Sequence, residues 1–328
     1  MTLETALTQH AGIEVPLICG AMYPCSNVEL VAAASDAGAI GIVQPVTLTF
    51  VHGIEFRDGL RRIRGLTKKP IGMNALIEKS SARYLDRMKR WVDEALEEGV
   101  RFFVTSLGDP RWVAEKAHAA GGFVYHDVTE AKWAKKALDG GVDGLVAVNA
   151  RAGGHAGPRD PRALLDELLP FGLPVVCAGG VGDATAFVDA LRMGYAGVQC
   201  GTRFIATREC DASEAYKAAI LATDENGIVL TERLTGVPLA VIDTPAVRRM
   251  GLHANGVERW LLKNPRTKHA VRMLLTVRSA WSLRRGARVD RSQLWQAGKS
   301  VAGIHSVEPA GAIVRRWASA LVAASGAD

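Results

Sequence analysis

The chain has 328 residues, 48% of them apolar and 23% charged, with a formal net charge of +6. That length and composition fit two domains or one α/β barrel with additions, and exclude collagen-like, low-complexity and disordered chains. The basicity is local: ten Lys/Arg against two Asp/Glu lie between Val257 and Arg291, so the remainder is close to neutral.

The N-terminus, MTLETALTQHAGIEVP, has neither a basic stretch nor an apolar run behind it, so no export signal is expected. No segment reaches the ~18 uninterrupted apolar residues of a spanning helix. Five cysteines (Cys19, Cys25, Cys177, Cys200, Cys210) show no CxxC and no paired spacing, which fits a reducing compartment better than a disulfide framework. The chain reads as cytoplasmic, without a membrane partner.

Eight short apolar runs follow one another at the spacing of a strand–helix unit. They are PLICGAM (16–22), AIGIVQPV (39–46), PIGMNALI (70–77), RFFVTSL (101–107), FVYHDV (123–128), GLVAVNA (144–150), PVVCAG (174–179) and AGVQCGTRFI (196–205). Each is continuous rather than alternating, as for parallel strands covered on both faces. Helical patterns fill the gaps at Asn27–Ala37, Ala82–Glu98, Pro110–Ala120, Thr129–Asp139 and Asp183–Met193, several ending at glycine. Eight such units favour a closed (β/α)8 TIM barrel over a doubly wound sheet. Past Thr207 no strand pattern is evident until amphipathicity returns at Pro309–Ala323. Residues 1–207 and 295–328 are therefore expected to form the barrel. Residues 208–294 are expected to form a helical insertion, a candidate lid over the strand C-termini.

The stretch that concentrates chemistry is AVNARAGGHAGP (147–158). It leaves a buried strand and breaks into small residues around His155, flanked by Gly153, Gly154, Ala156 and Gly157. A core histidine needs packing neighbours, and none is offered locally; an imidazole open to a cavity suits proton transfer. At the ends of the seventh and eighth runs, Gly179-Gly180 and Gly201-Thr202 put backbone N–H groups without Cβ bulk beside a helix start, which favours a phosphate over a mere turn. Asn74 is a polar amide at an interior strand end, either a ligand contact or a satisfied core amide. His126 faces the same cavity or bonds within the core. Gly180-Val-Gly182 lacks the third glycine of a dinucleotide fingerprint. No metal-ligand spacing and no Gly-x-Ser-x-Gly elbow occur. The basic stretch 257–291 is a solvated helix face, or a contact for the phosphates of CoA, a carrier protein or a pyridine nucleotide; nucleic acid ranks last.

With PLICGAM, NVELVAAASDAGAIGIV, KPIGMN, ARAGGHAG, VVCAGGVGD and GVQCGTRF in this order, the sequence resembles the 2-nitropropane dioxygenase-like family, which contains nitronate monooxygenases and flavin-type enoyl-acyl-carrier-protein reductases. The likeness runs from about Val15 to Thr207, with weaker stretches at LTGVP and WQAGKSVAG. It implies a barrel holding non-covalent FMN. Ala21, Met22 and Asn74 would lie by the isoalloxazine. Gly179, Gly180, Gly201 and Thr202 would hold the phosphate, with Gln199 on the same strand. His126 and Gly153 complete the expected cofactor contacts, and His155 matches the family's active-site histidine. Gln296–Ser300 would close over the flavin. Three departures stand out: Asp127 where some relatives have Lys, Arg151 where many have an acidic residue, and no evident Arg or Asn of the common kind near Gly236–Thr244.

These features lead to an FMN-dependent oxidoreductase acting on a small molecule. Nitronate oxidation with O₂ is the first expectation. An NAD(P)H-dependent reductase of an enoyl thioester or quinone is the alternative, and a flavin-free binding barrel is a third. A homodimer is left open.

Overall fold

The computed structural model describes residues 2–78, 81–254, 256, 260, 275 and 293–326. Eight parallel strands close in chain order into a barrel, β1 pairing with both β2 and β8. They are β1 (Leu17–Cys19), β2 (Ile40–Val43), β3 (Ile71–Leu76), β4 (Phe102–Ser106), β5 (Phe123–Val128), β6 (Gly144–Val148), β7 (Val175–Ala178) and β8 (Gly197–Cys200). Each falls inside one of the apolar runs, because strands buried on both faces leave no room for polar alternation.

A short first helix, α1 (Ala6–Ala11), precedes the barrel, and the outer ring begins with α2 (Val28–Asp36), α3 (Phe56–Leu66) and α4 (Ala82–Glu97). It continues with α5 (Arg111–Ala119), α6 (Ala131–Asp139), α7 (Pro161–Leu168) and α8 (Ala184–Met193). Side-chain caps fix several starts: Asp183 accepts from the Ala186 amide at 2.8 Å and Asp160 from the Ala163 amide at 3.1 Å, each worth about 1 kcal/mol. After β8 come a single turn, α9 (Thr202–Ile205), then α10 (Glu214–Ala222) and α11 (Pro245–Met250). Where no strand was expected, β9 (Ile228–Thr231) and β10 (Leu239–Ile242) form an antiparallel pair between α10 and α11. The final helix, α12 (Ala310–Ser325), returns to the barrel and packs on α8 and α2, with Trp317 and Phe187 ring centroids 5.4 Å apart. It takes the eighth helix position, as its amphipathic pattern implied. Apart from Trp260 and Leu275, the basic stretch 257–291 lies outside the described residues.

Among the described residues, no helix is long and apolar enough to cross a membrane. All five cysteines are buried free thiols.

Two apolar layers hold the barrel. The outer one lies between strands and helices; the inner one fills the lumen with Ile18, Ile40, Ile42, Phe102, Val104, Tyr125, Val146 and Val176. Leu7 and Ala11 of α1 belong to the inner layer. His10 on that helix stacks on Phe123 at 4.3 Å, and its Nδ1 lies 3.1 Å from Tyr125 Oη. The N-terminal end of the lumen is thus plugged, which leaves the strand C-termini as the open mouth.

Candidate active site

At the mouth the lumen turns from apolar to polar. Asn74 pairs in register with Val104, Asp127 with Val146, and Gln199 with Ile18, all interior residues, so these three side chains share the inner face. Asn74 Nδ2 donates to the Val104 carbonyl at 3.2 Å, so the amide is partly satisfied within the core. Gln199 Oε1 and Asp127 Oδ1 are enclosed and have no hydrogen-bond partner among the described residues. Two orphaned acceptors in one lumen are expensive unless a ligand meets them. Burial pushes the Asp127 carboxyl up to about 7.

His126 lies on the other face. It shares its side of β5 with Val124 and Val128, which belong to the layer beneath the helices. Its Nδ1 is 2.8 Å from Thr105 Oγ1, and that hydroxyl also reaches the Tyr125 carbonyl at 3.2 Å. Donating its proton to the carbonyl, the hydroxyl accepts from Nδ1–H. Burial, with Lys136 adding to it, lowers the imidazole to about 4. The expectation that His126 reaches the cofactor is therefore corrected: strand alternation turns it outward, and Asp127 is the inward residue.

The loop after β6 is organised by Asn149, which is fully buried. Its Oδ1 accepts from the Arg151 amide at 2.8 Å, and its Nδ2 donates to the Gly179 carbonyl at 3.1 Å. One side chain thereby ties the histidine loop to the end of β7. Beyond it, Gly153 and His155 are exposed. His155 Nε2 lies 3.1 Å from Thr235 Oγ1, which in turn donates to the Val237 carbonyl at 3.0 Å. That chain makes Nε2–H the donor and leaves the Nδ1 lone pair as the base. Desolvation of the ring lowers the His155 pKa from its ordinary value.

The glycine turns meet the same loop. Gly179 (φ +122°) would place a Cβ 2.5 Å from the Ala152 amide nitrogen and from Asn149 Oδ1. Gly180 (φ +87°) lies under the Arg151 side chain, where a Cβ would be 2.6 Å from Nε. Both conformations favour glycine, and the first tolerates nothing larger. Met22 packs beside Gly201, and Gln199 beside Gly20. Among the described residues, no hydrogen bond takes up the backbone N–H of Gly180, Gly201 or Thr202. These donors at adjacent strand ends are what an oxyanion requires.

A late segment covers the turns. The Gly298 amide donates to Thr202 Oγ1 at 3.0 Å, and the Lys299 amide to the Arg151 carbonyl at 2.9 Å. Gly153 and Gly298 touch backbone to backbone, and Ser300 leaves no space above Gly182. The segment after β8 joins in: the Ala240 amide donates to the Gly154 carbonyl at 2.7 Å, and Glu225 pairs with Arg151. Gly153, Gly179, Gly180, Gly201, Thr202, Met22 and Gln199 thus form one contiguous wall, with Ala21 half-buried at the end of β1. Sequence reading missed Asn149 and Thr235. Asn149 was marked as the first polar residue after an apolar strand; Thr235 sat in the LTGVP stretch of weaker likeness, with nothing local to tie it to His155.

A family model described as nitronate monooxygenase matches residues 4–319. The chain is 30% identical over 308 residues to the "(3aS,4S,5R,7aS)-5-hydroxy-7a-methyl-1-oxo-octahydro-1H-indene-4-carboxyl-CoA dehydrogenase" of Mycobacterium tuberculosis, covering 92% of this chain and 84% of that protein. It is 25% identical to a "Probable nitronate monooxygenase" of Staphylococcus saprophyticus, covering 81% of this chain and 86% of that one. Among solved structures, FabK from Thermotoga maritima superposes with a TM-score of 0.82 at 24% identity, covering 99% of this chain and 98% of that one. The structural likeness speaks for the fold.

Proposed function

The chain belongs to the nitronate monooxygenase family of oxidoreductases, and from that premise we propose an FMN-dependent enzyme that takes or delivers a proton at a carbon acid through His155. The observation that carries this reading is the wall of unused N–H groups at Gly180, Gly201 and Thr202, with one orphaned acceptor, on Gln199, in the same wall and another, on Asp127, on the same inner face of the barrel. The donors suit a phosphate; the acceptors on Gln199 and Asp127 suit the polar edge of a heterocycle.

When bound, FMN supplies a ring that accepts or gives a hydride. Gly180, Gly201 and Thr202 would hold its phosphate, with Met22, Ala21, Asn74 and Gln199 around the ring. Gly153 carries the histidine loop past the cofactor without side-chain bulk. His155, its pKa lowered by desolvation and its ring oriented by Thr235, exchanges the proton α to the electron-withdrawing group. The plug formed by α1 and the inner apolar layer keep water out from below.

A CoA thioester is the favoured substrate class. The Mycobacterium tuberculosis relative is named for a CoA substrate. Nitronate oxidation, the first expectation from the sequence, is the second reading, favoured by the name of the Staphylococcus saprophyticus relative. Anaerobic mixing of the FMN-loaded protein separates them. Bleaching by NADH or NADPH, with reoxidation by an enoyl-CoA, or direct bleaching by a saturated acyl-CoA, supports the thioester reading. Bleaching by an alkyl nitronate alone overturns it in favour of the second.

A further inference from the structure

Asp127 is the inward-facing residue near the mouth end of β5, and the wall described above does not use it. One of its carboxylate oxygens is fully enclosed and bonded to nothing among the described residues. Below it stands the apolar inner layer; in register beside it is Val146, with Val148 further along β6. On β4 the neighbouring end residue is Ser106, which does not titrate in this range. On its own strand, Tyr125 faces inward and bonds His10, while His126 faces outward. Across the lumen, Asn74 and Gln199 are neutral amides. The loop after β6 carries Arg151, paired with Glu225, and His155, bonded to Thr235. Burial alone accounts for the raised carboxyl; no charged neighbour contributes.

An uncompensated carboxylate in such a place is a poor neighbour for negative charge. Two-electron reduction of a flavin by a hydride donor brings two electrons and one proton to the ring, and leaves one negative charge there at neutral pH. The ordinary protein answer is a cation. This lumen offers none on its inner face among the described residues, and places a carboxyl there instead.

Resting on the FMN reading above, we propose that Asp127 is a proton-uptake partner of the cofactor: it takes one proton from water as the cofactor is reduced and donates it as a hydrogen bond to the ring. In the balance, the reductant (NAD(P)H or the substrate) supplies the hydride, solvent supplies one proton, and Asp127 goes from carboxylate to carboxylic acid. Reoxidation returns that proton. An orphaned acceptor in the resting protein thereby becomes a paired donor in the reduced one, which explains why a carboxyl is tolerated where burial works against it.

The test counts protons. FMN-loaded wild type and Asp127→Asn are photoreduced anaerobically at about pH 8, a unit above the raised carboxyl, with a pH-indicator dye in weak buffer. Proton uptake per FMN reduced is expected to be about twofold larger in the wild type. Equal uptake in the two proteins overturns the proposal. A second readout needs no variant: reduced-minus-oxidised infrared difference spectra of the wild type gain a carboxylic-acid C=O band, and absence of that band also overturns it. A protein that takes up no FMN defeats the cofactor reading itself, and is recognised by its lack of flavin absorbance before any proton is counted.

Discussion

Substituting Gly179 by Ala separates two effects that glycine removes at once, and the structure supplies the controls. Gly172 has φ +70° with nothing within 4 Å of a Cβ, so Gly172→Ala reports the left-handed backbone alone, about 1 kcal/mol. Gly180, at φ +87°, adds only the movable Arg151 side chain, and Gly180→Ala should lose about 1–2 kcal/mol. Gly179, at φ +122°, would set a Cβ 2.5 Å from the Ala152 backbone nitrogen and from the buried Asn149 amide. Neither can retreat without shifting the histidine loop. Backbone strain of about 1–3 kcal/mol and overpacking of similar size add to about 3–5 kcal/mol. Urea unfolding of the three apoproteins should rank Gly172→Ala, Gly180→Ala, Gly179→Ala in rising loss. Quenching of FMN fluorescence should show at least about tenfold weaker binding for Gly179→Ala, equivalent to ~1.4 kcal/mol of the strain being relieved through the loop. Gly179→Ala matching Gly172→Ala in both assays would refute the claim that the turn and the histidine loop are locked together.

Replacement of His155 by Asn should leave FMN bound and lower turnover by ~10²-fold or more, the scale of a lost acid–base group; steady-state rates and flavin content check it. The lowered His126 pKa makes the unfolded chain bind more protons between pH 6.5 and about 4, so its contribution to stability is present above that window and is lost as pH falls through it. From neutral pH down to about 4.5, that loss is on the order of 2–3 kcal/mol; urea midpoints at the two pH values should converge in His126→Asn. Asp127 runs the other way: its carboxyl is raised to about 7, so its contribution is present below the ordinary carboxylate range and lost as pH rises through neutrality. Asp127→Asn should therefore gain stability relative to wild type above about pH 8, measured by the same unfolding. Arg203, 2% exposed and donating to the carbonyls of Ala206 and Ser306 at 2.6 and 2.7 Å, ties α9 to the late segment. Arg203→Ala strands those carbonyls, and should lower stability by about 3 kcal/mol in thermal or urea unfolding.

The barrel was legible because strands covered on both faces must be apolar throughout, and all eight runs stood out for that reason. The same property hid their phase. In FVYHDV nothing alternates cleanly, so the choice between His126 and Asp127 as the inward residue was invisible until pairing with Val146 fixed it. The stripe Phe56, Leu60 and Ile63 of α3 was masked by its arginines. The IVLT and LAVI strands after β8 are four residues each, too short to rise above the helical pieces around them. His155 stood out in the sequence because its four neighbours are small. Its partner Thr235 did not, since eighty residues of chain separate them and only the fold brings the hydroxyl to Nε2.

The central claim is that the strand ends of β7 and β8 grip the phosphate of FMN while His155 stands beside its ring. A crystal structure of the protein with FMN tests it most directly. The phosphate is expected within hydrogen-bond reach of the Gly180, Gly201 and Thr202 amides, with the ring over the lumen between Gln199 and Asp127 and His155 in contact with the space above it. A phosphate bound elsewhere, or a ring out of reach of His155, would contradict the claim.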